Sequence, residues 1–588
     1  MRYSRLHFTA ATVLAMAACQ IDRSTGQDTA STVAPVTADD DPADPCAASP
    51  TVVVTPAVIP PTPTGVAVAL DVAVTNANPA ACPVRRFQLV IADTGLLFEP
   101  RPSTKPTTAP LELASGATGH FPVTATAPAS ADAGDVLAVV LSLLDPDTTG
   151  GPSGPGGGTG DPVPTPPKTL VASPTLPALP AIAFPVAATP GCQVSTSHEL
   201  MITSVSVVDD PVRTVFDPAS DDPRNGVWTL AYLAQHMAAT PGDAPAMIEA
   251  LLTSFTQPQA INGFTVAPRP GLQSIVLAGW PRTADGALDL ARAPLHLQAI
   301  VNRFDLRDLA SGDAGEGRFV FAFDPAPGAP PSAQPQATII FEYKLPAAHD
   351  RDVLAWAEAF HRLGGLPFGE DYNATLQAIT TQFARRGARP DHPNGSAINA
   401  VRTNEIPFGN DGQWQLREFH LAPRSGRLEP ATLALTPDAS FNNSTALAAY
   451  ITANQAAIIA ETHTVPETLD GQPFQAGAIF NVFTVGNTWT APGVDLEARH
   501  HFAINTCNGC HSAQETGTVF LHLTPRELGA EAPRSRWLTG TVVDDPVTGA
   551  PRSFDDLGRR KADLRAIVCR DSAMPARDRL RRGIRRVH

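Results

Sequence analysis

The 588-residue chain lacks the signatures of several common enzyme classes. It has no Gly-x-Ser-x-Gly elbow and no phosphate-binding loop, and His198-Glu199 is not followed by the second histidine of a His-Glu-x-x-His zinc helix. Positive charge is in the minority, with 42 Lys and Arg against 57 Asp and Glu and a formal net charge of −15. That balance argues against general nucleic-acid binding. Beyond the first residues no apolar stretch is long enough to cross a bilayer as a helix. Aromatic residues make up only 6 %, whereas proline is abundant, with 59 residues. The length exceeds what one core normally organises, so several domains are expected.

What is present is a pentad, Cys507-Asn508-Gly509-Cys510-His511. Two cysteines three apart with a histidine directly after form the attachment signature of c-type haem. On a helix, positions i, i+3 and i+4 share one face, so two thiols and an imidazole meet the same flat macrocycle. Cys507 and Cys510 would carry thioethers and His511 would be the proximal iron ligand. With 7 Cys and 15 His in the chain, random placement gives roughly 0.002 such pentads per chain. Two other readings stand beside it. A zinc site could use Cys507, Cys510 and either His511 or His522, although zinc usually wants a second close pair of ligands. A disulfide or redox dithiol is the other, without the βαβ surroundings of a thioredoxin. Met574, followed by Pro575, is a candidate sixth ligand; His522 and an open position are the alternatives.

The first residues read as an address. Met1-Arg2-Tyr3-Ser4-Arg5 is positively charged, Phe8 to Ala18 is a short apolar core, and Met16-Ala17-Ala18-Cys19 brings small residues before a cysteine. This run resembles the lipobox of bacterial lipoproteins. The resemblance implies a signal peptide over 1–18, lipidation of Cys19 and anchoring to the outer membrane, on its periplasmic face or the cell surface. An ordinary secretory signal is the alternative. Setting Cys19, Cys507 and Cys510 aside leaves Cys46, Cys82, Cys192 and Cys569, an even set suited to an oxidising compartment. Cys46–Cys82 is the natural first pairing.

Along the chain, residues 19–45 are polar and acidic and read as a disordered tether. Residues 46–145 carry short β-branched or alternating runs (51–56, 66–75, 87–91, 111–113, 136–143) separated by turn residues, the pattern of an all-β sandwich. Residues 146–190 are a Gly- and Pro-rich linker. Residues 191–495 mix helices, expected at 243–256, 350–363 and 444–461, with strands at 202–208, 295–301, 318–323, 338–345 and 413–421. They do not alternate regularly, so an α+β domain is expected. The 496–588 segment, mainly helical, would bind the haem on a helix spanning 496–511, with a further helix at 555–568. Arg303, Asp305, Arg307 and Asp308 read as a structural ion-pair network.

Three resemblances extend this reading. Asn76 to Pro83, Phe87 and the 111–127 stretch with Gly116 resemble the Ig-like domains of secreted bacterial hydrolases. Ile300-Val-Asn-Arg-Phe-Asp-Leu-Arg307, Phe341 to Leu345, Arg402 to Ile406, Gln413 to His420, the pentad and Trp537 to Gly540 resemble an uncharacterised family of exported bacterial proteins. Ala498 to Phe502 is similar to the first helix of small c-type cytochromes. The expected function is electron transfer or haem redox chemistry by an outer-membrane lipoprotein. The alternative is a non-enzymatic binding or structural lipoprotein whose Cys507–Cys510 pair is a disulfide or metal site. From Pro551 to His588 the chain carries 12 Lys and Arg against 5 Asp, a basic end suited to docking an acidic redox partner.

Overall fold

The β-branched runs near the N-terminus form strands. The computed structural model describes residues 46, 48–92, 94–99, 108–144, 181–187, 192–325, 335–405, 414–479, 488–569 and 580. Strands β1 (Thr51–Thr55), β2 (Ala67–Thr75), β3 (Arg85–Ile91), β4 (Leu97–Glu99), β5 (Leu111–Leu113), β6 (Thr118–Thr126), β7 (Val136–Val139), β8 (Leu141–Leu144) and β9 (Ile182–Pro185) build a first unit. Two antiparallel sheets, ordered β1-β2-β6-β4 and β5-β3-β8, enclose one core, with β7–β9 as an added pair. Alternation sets the register: Leu70, Val72 and Val74 of β2 point inward with Phe121 and Val123 of β6. Cys46 and Cys82 are disulfide-bonded. The expected 146–190 linker is shorter than its composition suggests, because Ile182–Pro185 pairs with Val136–Val139 and buries Phe184 completely.

The second unit is organised by a seven-stranded sheet in which every neighbouring pair is antiparallel. Before its long strands come β10 (Met201–Ile202), α1 (Val205–Val208), α2 (Leu230–Met237), α3 (Ala244–Ser254) and the hairpin β11–β12 (Gln259–Ile261, Phe264–Val266). The sheet runs β10-β13-β14-β15-β16-β17-β18. Its long members are β13 (Leu295–Arg303), β14 (Asp313–Phe323), β15 (Ala337–Pro346), β16 (Ile398–Glu405), β17 (Gln415–Leu421) and β18 (Leu428–Ala431). Helices α4 (Asp350–Leu363) and α5 (Glu370–Ala384) cover one face, where Phe319, Tyr343 and Trp356 surround Phe383 at ring separations of 5.8–6.3 Å. All eleven residues of β14 are buried, as befits a strand covered on both faces.

The C-terminal segment covers the other face. After α6 (Thr445–Ala453), α7 (Gln455–Ile459) and the short hairpin β19–β20 (Thr468–Leu469, Gln472–Pro473) come α8 (Leu496–Ile504), α9 (Cys507–Cys510) and α10 (Arg536–Thr539). Hairpin β21–β22 (Thr541–Asp544, Pro551–Phe554) and α11 (Asp556–Val568) follow. Cys510, Leu523, Trp537, Leu538, Leu557, Leu564 and Ile567 belong to the same core as the sheet. A second disulfide, Cys192–Cys569, ties the start of this unit to the end of α11. The β-unit rests against it: Ser130 N–H donates to Asp555 at 3.0 Å, and Lys561 reaches Asp132 at 3.1 Å. The chain is thus multidomain, with antiparallel sheets and packed helices.

Several elements depart from expectation. The strand expected over 202–208 stops at Ile202; Val205–Val208 is a helical turn that follows Ser204. The 444–461 helix breaks at Asn454, whose side chain donates to the Tyr450 carbonyl at 2.8 Å. The helix expected over 496–511 also breaks, because Thr506 is extended and caps a new turn at Cys507. Strand β16 and helices α2 and α5 were not anticipated.

Candidate functional site

The broken helix determines how the pentad is presented. Thr506 accepts a hydrogen bond from Gly509 N–H at 3.1 Å and donates to the Ala503 carbonyl at 2.7 Å. Trp489 Nε1–H is shared between Thr506 Oγ1 and Asn508 Oδ1, each at 2.8 Å. Position 509 must be glycine, since a Cβ there would lie 1.9 Å from the Ala503 carbonyl oxygen. Phe502 packs edge-on to Trp489 at 5.5 Å behind the turn. Cys507, Cys510 and His511 therefore stand on a single short turn that is rigidly capped.

This turn faces the sheet across a cavity of about 110 Å³. Its floor is one face of the central strands: Val301, Arg318, Val320, Thr338, Ile340, Glu342, Arg402, Asn404 and Leu416. The register puts them there, with Arg318 opposite Glu342, Val320 opposite Ile340 and Asn404 opposite Leu416. The roof is Cys510, His511, His522, Leu523, Trp537 and Leu538, and Arg303 and Arg560 also line it. Cys507 lies beside this space, fully buried against Trp414, Leu416, Leu433 and Phe520.

The floor carries a buried chain of ion pairs. Arg318 meets Glu316 at 2.6 Å and Glu342 at 3.0 Å; Arg402 meets Glu342 at 2.9 Å and Glu418 at 3.0 Å. Burial pushes the Glu418 carboxyl up, but Arg402 and His420 bring it down to about 2. Sequence reading missed this row. Its signal was charge at alternate positions within apolar strands, on Arg318, Glu342, Arg402 and Glu418.

Both histidines are poised as neutral imidazoles. Burial lowers His511 to about 4 and His522 well below its ordinary value. His511 Nδ1 bonds to the Phe520 carbonyl. A carbonyl only accepts, so Nδ1 holds the proton and Nε2 keeps its lone pair, the arrangement that orients a histidine as a metal ligand. His522 lies tilted against His511 with ring centroids 4.3 Å apart; its Nε2 lies 3.4 Å from Cys510 Sγ and its Nδ1 3.0 Å from Ser535 Oγ. Met574 and Cys19 lie outside the described residues.

The residues present fit a c-type haem in chemistry. Cys507 and Cys510 remain thiols, whereas Cys46, Cys82, Cys192 and Cys569 are cross-linked. Burial raises the Cys507 thiol to about 11, so in the metal-free chain it is protonated at neutral pH, unlike the activated thiolate of a redox dithiol. Among the described residues, the side chains that converge as possible metal ligands are Cys192, His361 and Cys569, and His500, Glu515 and Asp545, none from the pentad. The cavity is smaller than the 300–1,000 Å³ typical of ligand pockets, so seating a macrocycle would require its lining side chains to move apart. No described helix is long and apolar enough to cross a membrane. No protein-family model matches the chain, and no curated protein is detectably similar to it.

Proposed function

We propose that the chain is an exported lipoprotein that carries covalent haem c on Cys507 and Cys510, with His511 as proximal ligand, and that it acts in electron transfer. The supporting observation is the placement of His511. A half-buried imidazole, neutral at pH 7 and with its Nδ1 against a backbone carbonyl, stands directly after two buried thiols on a capped turn, beside a cavity lined by apolar and charged side chains. When bound, haem supplies one-electron exchange between ferric and ferrous iron. The chain's own residues do the rest: Cys507 and Cys510 fix the group, Trp489, Thr506 and Gly509 hold the turn, and the sheet floor and Trp537 exclude water.

On this reading the N-terminal β-unit is an Ig-like spacer between the lipid on Cys19 and the haem unit. Its two antiparallel sheets around one core support that assignment. Anchoring through Cys19 would place the protein at the outer membrane, and the basic C-terminal end would dock an acidic redox partner. The direct test is a denaturing gel stained for haem after expression with haem-maturation machinery. The wild-type band should stain and the Cys507→Ala/Cys510→Ala band should not. An unstained wild type moves the pentad to the binding-protein reading.

A further inference from the structure

Two groups of buried charges border the cavity, and they differ in balance. On the floor, Glu316, Glu342 and Glu418 answer Arg318, Arg402 and Lys344, with Lys344 3.3 Å from Glu316. At the end formed by α11 and the end of β13, the cations are in excess. Arg303 is bidentate to Asp305 at 3.0 Å, and Arg307 is paired with Asp563 at 2.5 and 2.9 Å. Arg559 reaches Asp305 at 2.9 Å and Asp556 at 2.6 Å; Arg560 reaches Asp556 at 2.5 Å and lies 4.0 Å from Asp305, too far for a hydrogen bond. Among the described residues that is four arginines against Asp305, Asp556 and Asp563. Arg560 bears the excess. It is 4 % exposed, yet its Nε and Nη1 have no hydrogen-bond partner, and it lines the cavity beside Arg303. A buried guanidinium with two orphan N–H groups is costly unless an anion answers it. The sequence-level reading of this region as a structural network leaves that orphan unexplained.

We infer that Arg560, with Arg303 beside it, is the seat for a carboxylate of the group held in the cavity. This rests on the haem reading, on which the carboxylate is a haem propionate. A guanidinium offers N–H groups in a planar fork that matches a carboxylate. Seating one there neutralises the excess charge and satisfies donors that the protein leaves open. It also sets the orientation of the macrocycle, since the thioether edge is held at Cys507 and Cys510 and the propionate edge would be held by α11. The Cys192–Cys569 disulfide, which closes the end of α11, then serves to hold the seat in place.

The test uses the full-length, haem-loaded protein grown with haem labelled with ¹³C at the propionate carboxyls, read by redox-difference infrared spectroscopy. Wild type should show label-sensitive carboxylate bands. These should move to the position of a solvated carboxylate in Arg560→Gln and shift less in Arg560→Lys, which keeps the charge without the fork. If Arg560→Gln does not mature, Arg560→Lys and Arg303→Lys decide by the same bands. Label-sensitive bands unchanged by these substitutions, in a protein that stains for haem, overturn the seat and leave the haem reading standing. A wild-type chain that carries no covalent haem overturns both.

Discussion

Replacing Arg402 with leucine should unbalance the cavity floor by a calculable amount. Arg402 is 7 % exposed and joins Glu342, on β15, to Glu418, on β17, at 2.9 and 3.0 Å. Removing one partner of a buried ion pair costs about 3–5 kcal/mol, because the remaining charge is stranded. The Glu418 carboxyl gives a second measure. Held at about 2 against an ordinary 4.5, its ionised form contributes about 3 kcal/mol of stability at neutral pH. Glu342 retains Arg318 and Glu418 retains His420 at 2.7 Å, so the lower end of the range applies. For a unit of roughly 350 residues, about 3 kcal/mol lowers the melting temperature by about 4 °C. The sign with pH follows from the depressed carboxyl. Its stabilisation is complete above about 4.5 and is lost as pH falls through about 2, so the penalty of Arg402→Leu should shrink in acid. Calorimetric melting at pH 7 and near pH 2 measures both. A melting temperature unchanged at pH 7, or a penalty as large near pH 2 as at pH 7, refutes the ion-pair account.

Gly509→Ala should cost about 1–3 kcal/mol in denaturant unfolding, as overpacking does, because the new Cβ meets the Ala503 carbonyl; it should also reduce haem staining, and an unperturbed variant would show that the turn has slack. Trp489→Phe removes the indole N–H that serves Thr506 and Asn508 and should destabilise by about 1–3 kcal/mol, read by the same unfolding assay; a neutral result would mean water replaces it. In haem-free protein, Cys507 should resist alkylation at pH 8 and react only as pH approaches about 11, followed by mass spectrometry; rapid labelling at pH 8 would contradict the burial. Cys19→Ser should release the exported protein from membranes, and fractionation showing continued membrane association would point to another anchor.

Much of the fold could be read from local pattern, and the failures have specific causes. Helix α4 runs over its expected 350–363 because Val353, Trp356, Ala357 and Phe360 give a clean amphipathic face. At its start Asp352 accepts from the Ala348 and His349 N–H groups. Strand β16, Ile-Asn-Ala-Val-Arg-Thr-Asn-Glu, hid because both its faces are buried while five of its eight residues are polar. Thr403 bonds to Glu405 two positions along, but Arg402 is answered by Glu342 and Glu418, and Asn404 by Phe520 and Trp414, all outside the strand. Local hydrophobic pattern does not reveal those pairs. Helix α5 has Tyr372, Leu376, Ile379 and Phe383 as large buried side chains at helical spacing, a narrow stripe among its threonines and polar residues. In the site, Cys507, Cys510 and His511 were legible because their spacing is itself the chemistry. The cavity was not, because its floor comes from five strands and its roof from a separate segment, Cys510 to Leu538, much later in sequence.

The state of the two thiols bears on what the pentad is for. A dithiol that works by exchange needs one sulfur with a lowered pKa and access to a partner. Cys507 has neither: it is completely buried, and burial outweighs Arg402 nearby, raising it to about 11. A zinc site needs thiolates converging with nitrogen donors, yet the sulfur close to His522 belongs to Cys510, while Cys507 points into the apolar pocket of Trp414, Leu433 and Phe520. On the haem reading, a flat macrocycle held by both sulfurs and by His511 would account for thiols that share a turn with a lone-pair imidazole. Trp537 and the guanidinium of Arg560, which line the cavity, would then offer it an apolar face and a cationic seat for a carboxylate at its edge.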